Sequence, residues 1–161
     1  HWKVNDKISK ISIKNLLTKE IKALIIDVDG TLISGKRPVL SSDIRNWILN
    51  SKKYFYVYLF SNNPSWTRIN SIAKQLDLEF TSSGSKPSRK KLKRVLQKVP
   101  YPTNEIAIIG DRIFTDILVG NRLGMYTILV DSVDHYGEKI EKNLFQTIER
   151  KFAKIISGEF S

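Results

Sequence analysis

The chain has 161 residues and carries 27 Lys+Arg against 16 Asp+Glu, a formal net charge of +11. That is one domain's worth of chain, and 41% hydrophobic residues suffice for a core. The absence of Cys excludes disulfides, thiolate metal sites and thiol nucleophiles, and two His exclude a His-rich metal centre. No apolar run approaches the roughly 20 residues that span a bilayer, so no membrane-crossing segment is expected. The basic excess suits polyanionic company, whether nucleic acid, an anionic membrane or phosphorylated substrates, and says nothing of fold. The first residue is His1 rather than Met, so the chain reads as a fragment or processed form, in which the lack of a targeting signal is uninformative.

Residues 1–20 form a lead-in that is polar and ambiguous apart from a short helix expected over Ile13–Lys19. From there apolar runs alternate with stretches of helical period. Strands are predicted at Ala23–Asp27, Tyr54–Phe60, Leu78–Thr81, Ile106–Ile109 and Tyr126–Val130. Helices are predicted at Ser42–Asn50, Trp66–Leu76, Ser88–Lys98 and Thr115–Leu123. A last one over about 141–157 would place Leu144, Phe145, Ile148 and Phe152 on one stripe, as a helix docked on the domain. Strand–helix alternation predicts an α/β fold: a doubly wound, mostly parallel sheet of about five strands with helices on both faces. The whole chain reads as a single domain with its catalytic core at 21–130.

Four short strings fall at strand ends or helix entries. The first strand runs into Asp27-Val28-Asp29-Gly30-Thr31. Two carboxylates two residues apart repel, and a hard cation would relieve them, leaving Asp27 free to attack phosphorus and Asp29 to handle the leaving-group proton. Read alone, the string is equally an Asp-Gly turn. The second strand ends at Ser61-Asn62-Asn63-Pro64, donors suited to phosphate oxygens but also ordinary turn residues. Lys86-Pro87 opens a helix, with Pro87 expected in its first turn and Lys86 balancing the carboxylates. Arg89, Lys90, Lys91, Lys93 and Arg94 read as its solvated face. The fourth strand ends at Gly110-Asp111 and is followed by Thr115-Asp116, either of which could instead cap a helix. The combination carries the argument, because the four together supply nucleophile, acid, phosphate donors, cation and metal ligands.

This order of motifs resembles the haloacid dehalogenase (HAD) superfamily of aspartate-nucleophile phosphatases, over roughly Ile21–Val130. The resemblance implies that Asp27 is the nucleophile that becomes a phosphoaspartate and that Asp29 is the general acid that later activates water. It implies that Thr31, Ser61 and Asn62 contact phosphate and that Lys86 stabilises the transferring phosphoryl group. It further implies Mg²⁺ as cofactor, held at Asp27, Asp29 (through its backbone carbonyl) and Asp111, with Asp116 supporting from behind.

Only 31 residues separate Asp29 from Ser61 and 24 separate Ser61 from Lys86. Neither interval holds an inserted cap domain, so an open site is expected, suited to a large or surface-presented substrate. Ser61-Asn62-Asn63, Lys86-Pro87 and Gly120-Asn121-Arg122-Leu123-Gly124 further resemble subfamily IIIA, in particular phosphatidylglycerophosphate phosphatases and their YqeG-type relatives. That subfamily usually carries Asn where this chain has Gly30. The resemblance implies an anionic lipid head group as substrate and a peripheral position on a membrane in a cytoplasmic or organelle-stromal compartment. Three or four bases facing an anionic bilayer would favour binding by ~3–4 kcal/mol. Candidates are Lys36, Arg37, Lys90, Lys91 and Arg94, with Trp66 either touching lipid or packing its helix.

Two other enzyme or signalling readings stand beside this one: a HAD phosphatase for a soluble sugar phosphate, phosphoprotein or nucleic-acid end, and a receiver-like phosphoacceptor. Asp29 argues against the receiver, which has no use for a general acid beside its nucleophile. Nucleic acid is not expected as a partner, since no interleaving of aromatic and basic residues accompanies the charge.

Overall fold

A computed structural model describes residues 2–3, 6–35, 39–134 and 136–140. The predicted helix over 141–157, and Lys36 and Arg37, lie outside the described residues.

Among the described residues the sheet has six strands, all parallel. They are β1 (Trp2–Lys3), β2 (Ala23–Ile26), β3 (Tyr56–Phe60), β4 (Glu79–Thr81), β5 (Ile106–Gly110) and β6 (Tyr126–Leu129), in the order β1-β6-β5-β2-β3-β4. Five are the predicted ones. The sixth, β1, is two residues long and pairs with Ile128 and Leu129, too short to show as an apolar run. Helices α1 (Ile13–Thr18), α2 (Ser42–Ser51), α3 (Trp66–Leu76), α4 (Arg89–Leu96) and α5 (Leu118–Arg122) fill the connections. Among the described residues no inserted domain separates the motifs.

Alternation along the strands builds a core on each face of the sheet. Leu24, Ile26, Val57, Leu59, Ala107 and Ile109 pack with Ile44, Ile48, Ile69 and Ile72 of α2 and α3. Ala23, Ile25, Tyr58, Phe60, Ile106 and Ile108 pack with Leu92, Val95 and Val119 of α4 and α5. Because β2 and β5 are covered on both sides, every residue in them is buried.

Three expectations need correction. The lead-in is not merely polar, for Ile8, Ile11 and Leu16 are buried in the first core, and the indole of Trp47 donates to the Ile11 carbonyl at 2.8 Å. Pro87 lies outside its helix: α4 begins at Arg89, and Ser88 is its N-cap. The helix predicted from Thr115 begins earlier, as a π-helical turn over Ile113–Ile117 that leads into α5.

Ile26 of β2 is level with Leu59 of β3 and Ile109 of β5. Asp27 follows directly, and its N–H donates to the Ile109 carbonyl at 2.9 Å, extending the ladder by one residue. The first and fourth motifs therefore leave adjacent central strands at the same edge. There the connections diverge, β2 leading to β3 on one side while β5 lies on the other, and this is the crevice where ligands bind in open α/β sheets.

Candidate active site

Lys86 is buried at the bottom of this crevice. Its ammonium donates to Asp27 Oδ1 at 2.6 Å, to Asp116 Oδ1 at 2.5 Å and to the Phe60 carbonyl at 2.9 Å, so all three of its protons have acceptors. Burial draws the Lys86 pKa down, but the Asp116 and Asp27 carboxylates more than offset this and hold it above its ordinary value. The backbone carrying Lys86 is clamped by one side chain. Asn62 Oδ1 accepts from the Lys86 N–H at 2.7 Å, and Asn62 Nδ2 donates to the Lys86 carbonyl at 3.0 Å.

Asp27, Asp111 and Asp116 are all buried, and each presents a carboxylate oxygen within 4.8 Å of the others. Burial pushes Asp27 up to about 8; Lys86 opposes this, while the charges of Asp116 and Asp111 add to it. Burial and Asp116 likewise push Asp111 up to about 6, against the hydroxyl of Ser132, which donates to Asp111 Oδ2 at 2.6 Å. Ionising all three carboxylates against one ammonium would leave two negative charges uncompensated, and the raised values of Asp27 and Asp111 express that cost. A divalent cation fits that deficit, and an all-oxygen donor set suits a hard one.

Asp29 stands differently. Its Oδ1 accepts from Arg68 Nε at 2.9 Å, and its Oδ2 accepts from Ser61 Oγ at 3.3 Å and Asn63 Nδ2 at 3.1 Å. Thus the loop after β3 and the first turn of α3 grip this carboxylate, and the third acid of the cluster is Asp116 rather than the Asp29 side chain. Asp116 works twice, because its Oδ2 also accepts from the Arg112 N–H at 3.3 Å at the start of the π-helical turn. Thr31 is fully buried, with its hydroxyl 3.4 Å from both Asp27 Oδ2 and Asp111 Oδ1.

Two glycines make the close packing possible. Gly30 has φ +89°, and a Cβ there would run into the Asp111 carboxylate; Gly110 is pressed in the same way by Asp116. In this backbone Gly30 cannot be replaced by Asn without displacing Asp111.

A cavity of about 280 Å³ opens above the cluster, lined among others by Asp27, Asp29, Ser61, Asn62, Lys86 and Arg112. The structure thus brings together every predicted site residue, with Thr31 and Asp111 outside the lining itself. Sequence reasoning missed Arg68 and Ser132. Ser132 was within reach of the rule that found the others, since it lies just beyond the last predicted strand. Arg68 belongs to no motif; its one signal is a basic residue in a helix's first turn, where the macrodipole disfavours it.

The HAD-hydrolase-like family model matches residues 84–150. The chain is 26% identical over 148 residues to "Probable phosphatase YqeG" of Bacillus subtilis (strain 168), covering 88% of this chain and 86% of that one. These likenesses are to HAD-like hydrolases. The chain is also 29% identical over 135 residues to a chloroplastic/mitochondrial phosphatidylglycerophosphate phosphatase 1 of Arabidopsis thaliana, covering 76% of this chain but only 38% of that protein. The HAD family enzyme bt-2542 of Bacteroides thetaiotaomicron, crystallised with magnesium and inorganic phosphate, shares the fold. Its TM-score is 0.54 at 17% identity, over 77% of this chain and 97% of that one. Among the described residues no helix is long and apolar enough to cross a membrane.

Proposed function

We propose that this HAD-like hydrolase is a Mg²⁺-dependent phosphomonoesterase that works through a phosphoaspartate on Asp27, and that its substrate is phosphatidylglycerophosphate at a membrane surface. The observation that carries the chemistry is the buried cluster itself, in which Asp27 and Asp116 share Lys86 and three carboxylates converge on a space that a divalent ion would neutralise.

Asp27 and Asp111, with Asp116 beside them, are the residues that would hold Mg²⁺, which when bound neutralises charge on the phosphoryl oxygens. Lys86 orients Asp27 by binding one carboxylate oxygen. Asp27 attacks phosphorus as the bond to the substrate alkoxide breaks, and Asp29 gives its proton to the departing oxygen. Asp29 then takes a proton from water as that water attacks the phosphoaspartate, which releases phosphate and restores the Asp27 carboxylate and the protonated Asp29. Ser61 and Asn62 line the cavity with donors for the phosphoryl oxygens.

The lipid substrate is supported by the relative of that activity, by the absence of a cap among the described residues, and by the basic excess of the chain. Lys90 and Arg94 are exposed on α4, whereas Lys91 is half-buried and donates to the Ser83 carbonyl. Trp66 is 57% exposed beside Phe80, with ring centroids 5.8 Å apart, so it is available to a bilayer while still packing on one side.

The test is phosphate release from phosphatidylglycerophosphate in anionic vesicles, compared with soluble sugar phosphates and a phosphopeptide, each with Mg²⁺ present and chelated. A strong Mg²⁺-dependent preference for the lipid is expected. Equal rates on lipid and soluble esters would remove the lipid assignment and leave a general phosphatase.

A further inference from the structure

Lys86 reaches the floor of the crevice from an irregular segment, between β4, which ends at Thr81, and α4, which begins at Arg89. Two residues of that segment, Ser83 at φ 52° and Ser85 at φ 58°, stand in the left-handed region that residues other than glycine rarely adopt. Such conformations persist only where the surroundings over-determine them. The segment therefore depends on what grips it from outside.

One grip comes from the loop after β3. The Ser83 N–H donates to the Asn63 carbonyl at 2.9 Å, the Gly84 N–H donates to the Ser61 carbonyl at 2.7 Å, and the Asn62 amide holds both backbone groups of Lys86. The other grip comes from α4. Lys91 is half-buried and its ammonium donates to the Ser83 carbonyl, which also accepts from Ser85 Oγ at 3.2 Å. Ser83 is thus held at its N–H by Asn63 and at its carbonyl by Lys91. Lys91 stands in the first turn of α4, where a cation opposes the macrodipole, and the helix contains no acid to offset it. The Ser83 carbonyl is the partner that this ammonium finds instead.

We propose that Lys91 is a positioning residue for Lys86: by bonding the Ser83 carbonyl it holds the strained segment in the conformation that sets the Lys86 ammonium between Asp27 and Asp116. Lys91 acts through Lys86 and not on the substrate. This rests on the phosphatase reading above, and it separates Lys91 from the bases that would face a bilayer.

The test uses a soluble ester, p-nitrophenyl phosphate with Mg²⁺, so that no membrane enters, and compares wild type, Lys91→Met, Lys91→Arg and Lys93→Met. Lys91→Met keeps an apolar stem and removes the donor. Lys93→Met removes the same charge from an exposed position on the same helix. Lys91→Met is expected to lose about fivefold or more in kcat with KM changed by less than about twofold, and Lys91→Arg to return to within about twofold of wild type. Amide hydrogen exchange over residues 82–88 should quicken by about fivefold or more in Lys91→Met and keep the wild-type rate in Lys93→Met, with β2 and β5 unchanged in every variant. A loss of kcat without faster exchange over 82–88, faster exchange without a loss of kcat, or the same losses in Lys93→Met would overturn the proposal and leave the phosphatase reading intact. No Mg²⁺-dependent hydrolysis by the wild type would overturn both.

Discussion

Arg68 Nε donates to Asp29 Oδ1 at 2.9 Å, and this pair joins the first turn of α3 to the turn after β2. A basic residue in a helix's first turn opposes the macrodipole by a few tenths of a kcal/mol, and Asp29 offsets that cost. In the proposed mechanism Arg68 is therefore a positioning residue for Asp29, the carboxylate that would handle the proton. Arg68→Ala should lower kcat on p-nitrophenyl phosphate by about tenfold or more with little change in KM, because misplacing an acid by 1 Å costs up to about a hundredfold. Arg68→Lys should recover only part, since it lacks the fork. Steady-state kinetics of the two variants checks this.

Lys86 balances two buried carboxylates, so removing it takes away the ammonium that both share. Lys86→Met should abolish turnover and destabilise the fold by ~3–5 kcal/mol. A domain of this size loses about 2–4 °C of Tm per kcal/mol, so thermal melting should show a fall of roughly 10 °C. A fold as stable as wild type would mean that the carboxylates are not charged together.

Ser132 fixes Asp111 through a 2.6 Å hydrogen bond from beyond β6. The same segment is tied to the first motif, as the Val133 N–H donates to the Gly30 carbonyl at 2.9 Å. Ser132→Ala should raise the Mg²⁺ concentration needed for half-maximal activity by about 10–100-fold, the usual effect of losing a partner behind a metal-binding carboxylate. A magnesium titration of activity measures it.

Asp43 ties α2 to the lead-in and, through Lys7, to Glu138. Its carboxylate accepts from Ser9 and Ser41 at 2.7 Å and pairs with Lys7 at 3.0 Å, while Lys7 also meets Glu138 at 2.9 Å. Burial pushes Asp43 up, but Ser9, Ser41 and Lys7 outweigh it and hold it well below the usual carboxylate range. A depressed folded pKa means that the unfolded chain binds the proton more readily. The stabilisation is therefore fully present above about pH 4 and is lost as pH falls through the folded value. Asp43→Asn should lower Tm by a few degrees at pH 7, and its gap from wild type should close as pH falls below about 4. Melting curves from pH 7 to pH 2 test the sign.

Much of this was legible in the sequence because a parallel sheet buries its strands on both faces, so Ala23–Ile26 and Ile106–Ile109 stand out as unbroken apolar runs. Asp27, Ser61 and Asp111 then follow from one rule, that chemistry gathers where strands end. What the sequence hid were partnerships that no spacing encodes. Arg68 meets Asp29 only because α3 folds back beside β2, and Asn62 clamps the Lys86 backbone across 24 residues of chain. The edge strand Trp2–Lys3 was invisible because two residues carry no periodicity, and the lead-in looked polar because its buried Ile8, Ile11 and Leu16 are spaced among lysines.

The most direct test of the central claim is Mg²⁺-dependent phosphate release from a phosphomonoester by wild type and Asp27→Asn, with both proteins checked for folding. With Asp27 as the proposed nucleophile, the variant should fall by at least about a thousandfold while keeping its fold. Asp27→Asn turning over at a rate comparable to wild type would contradict the account.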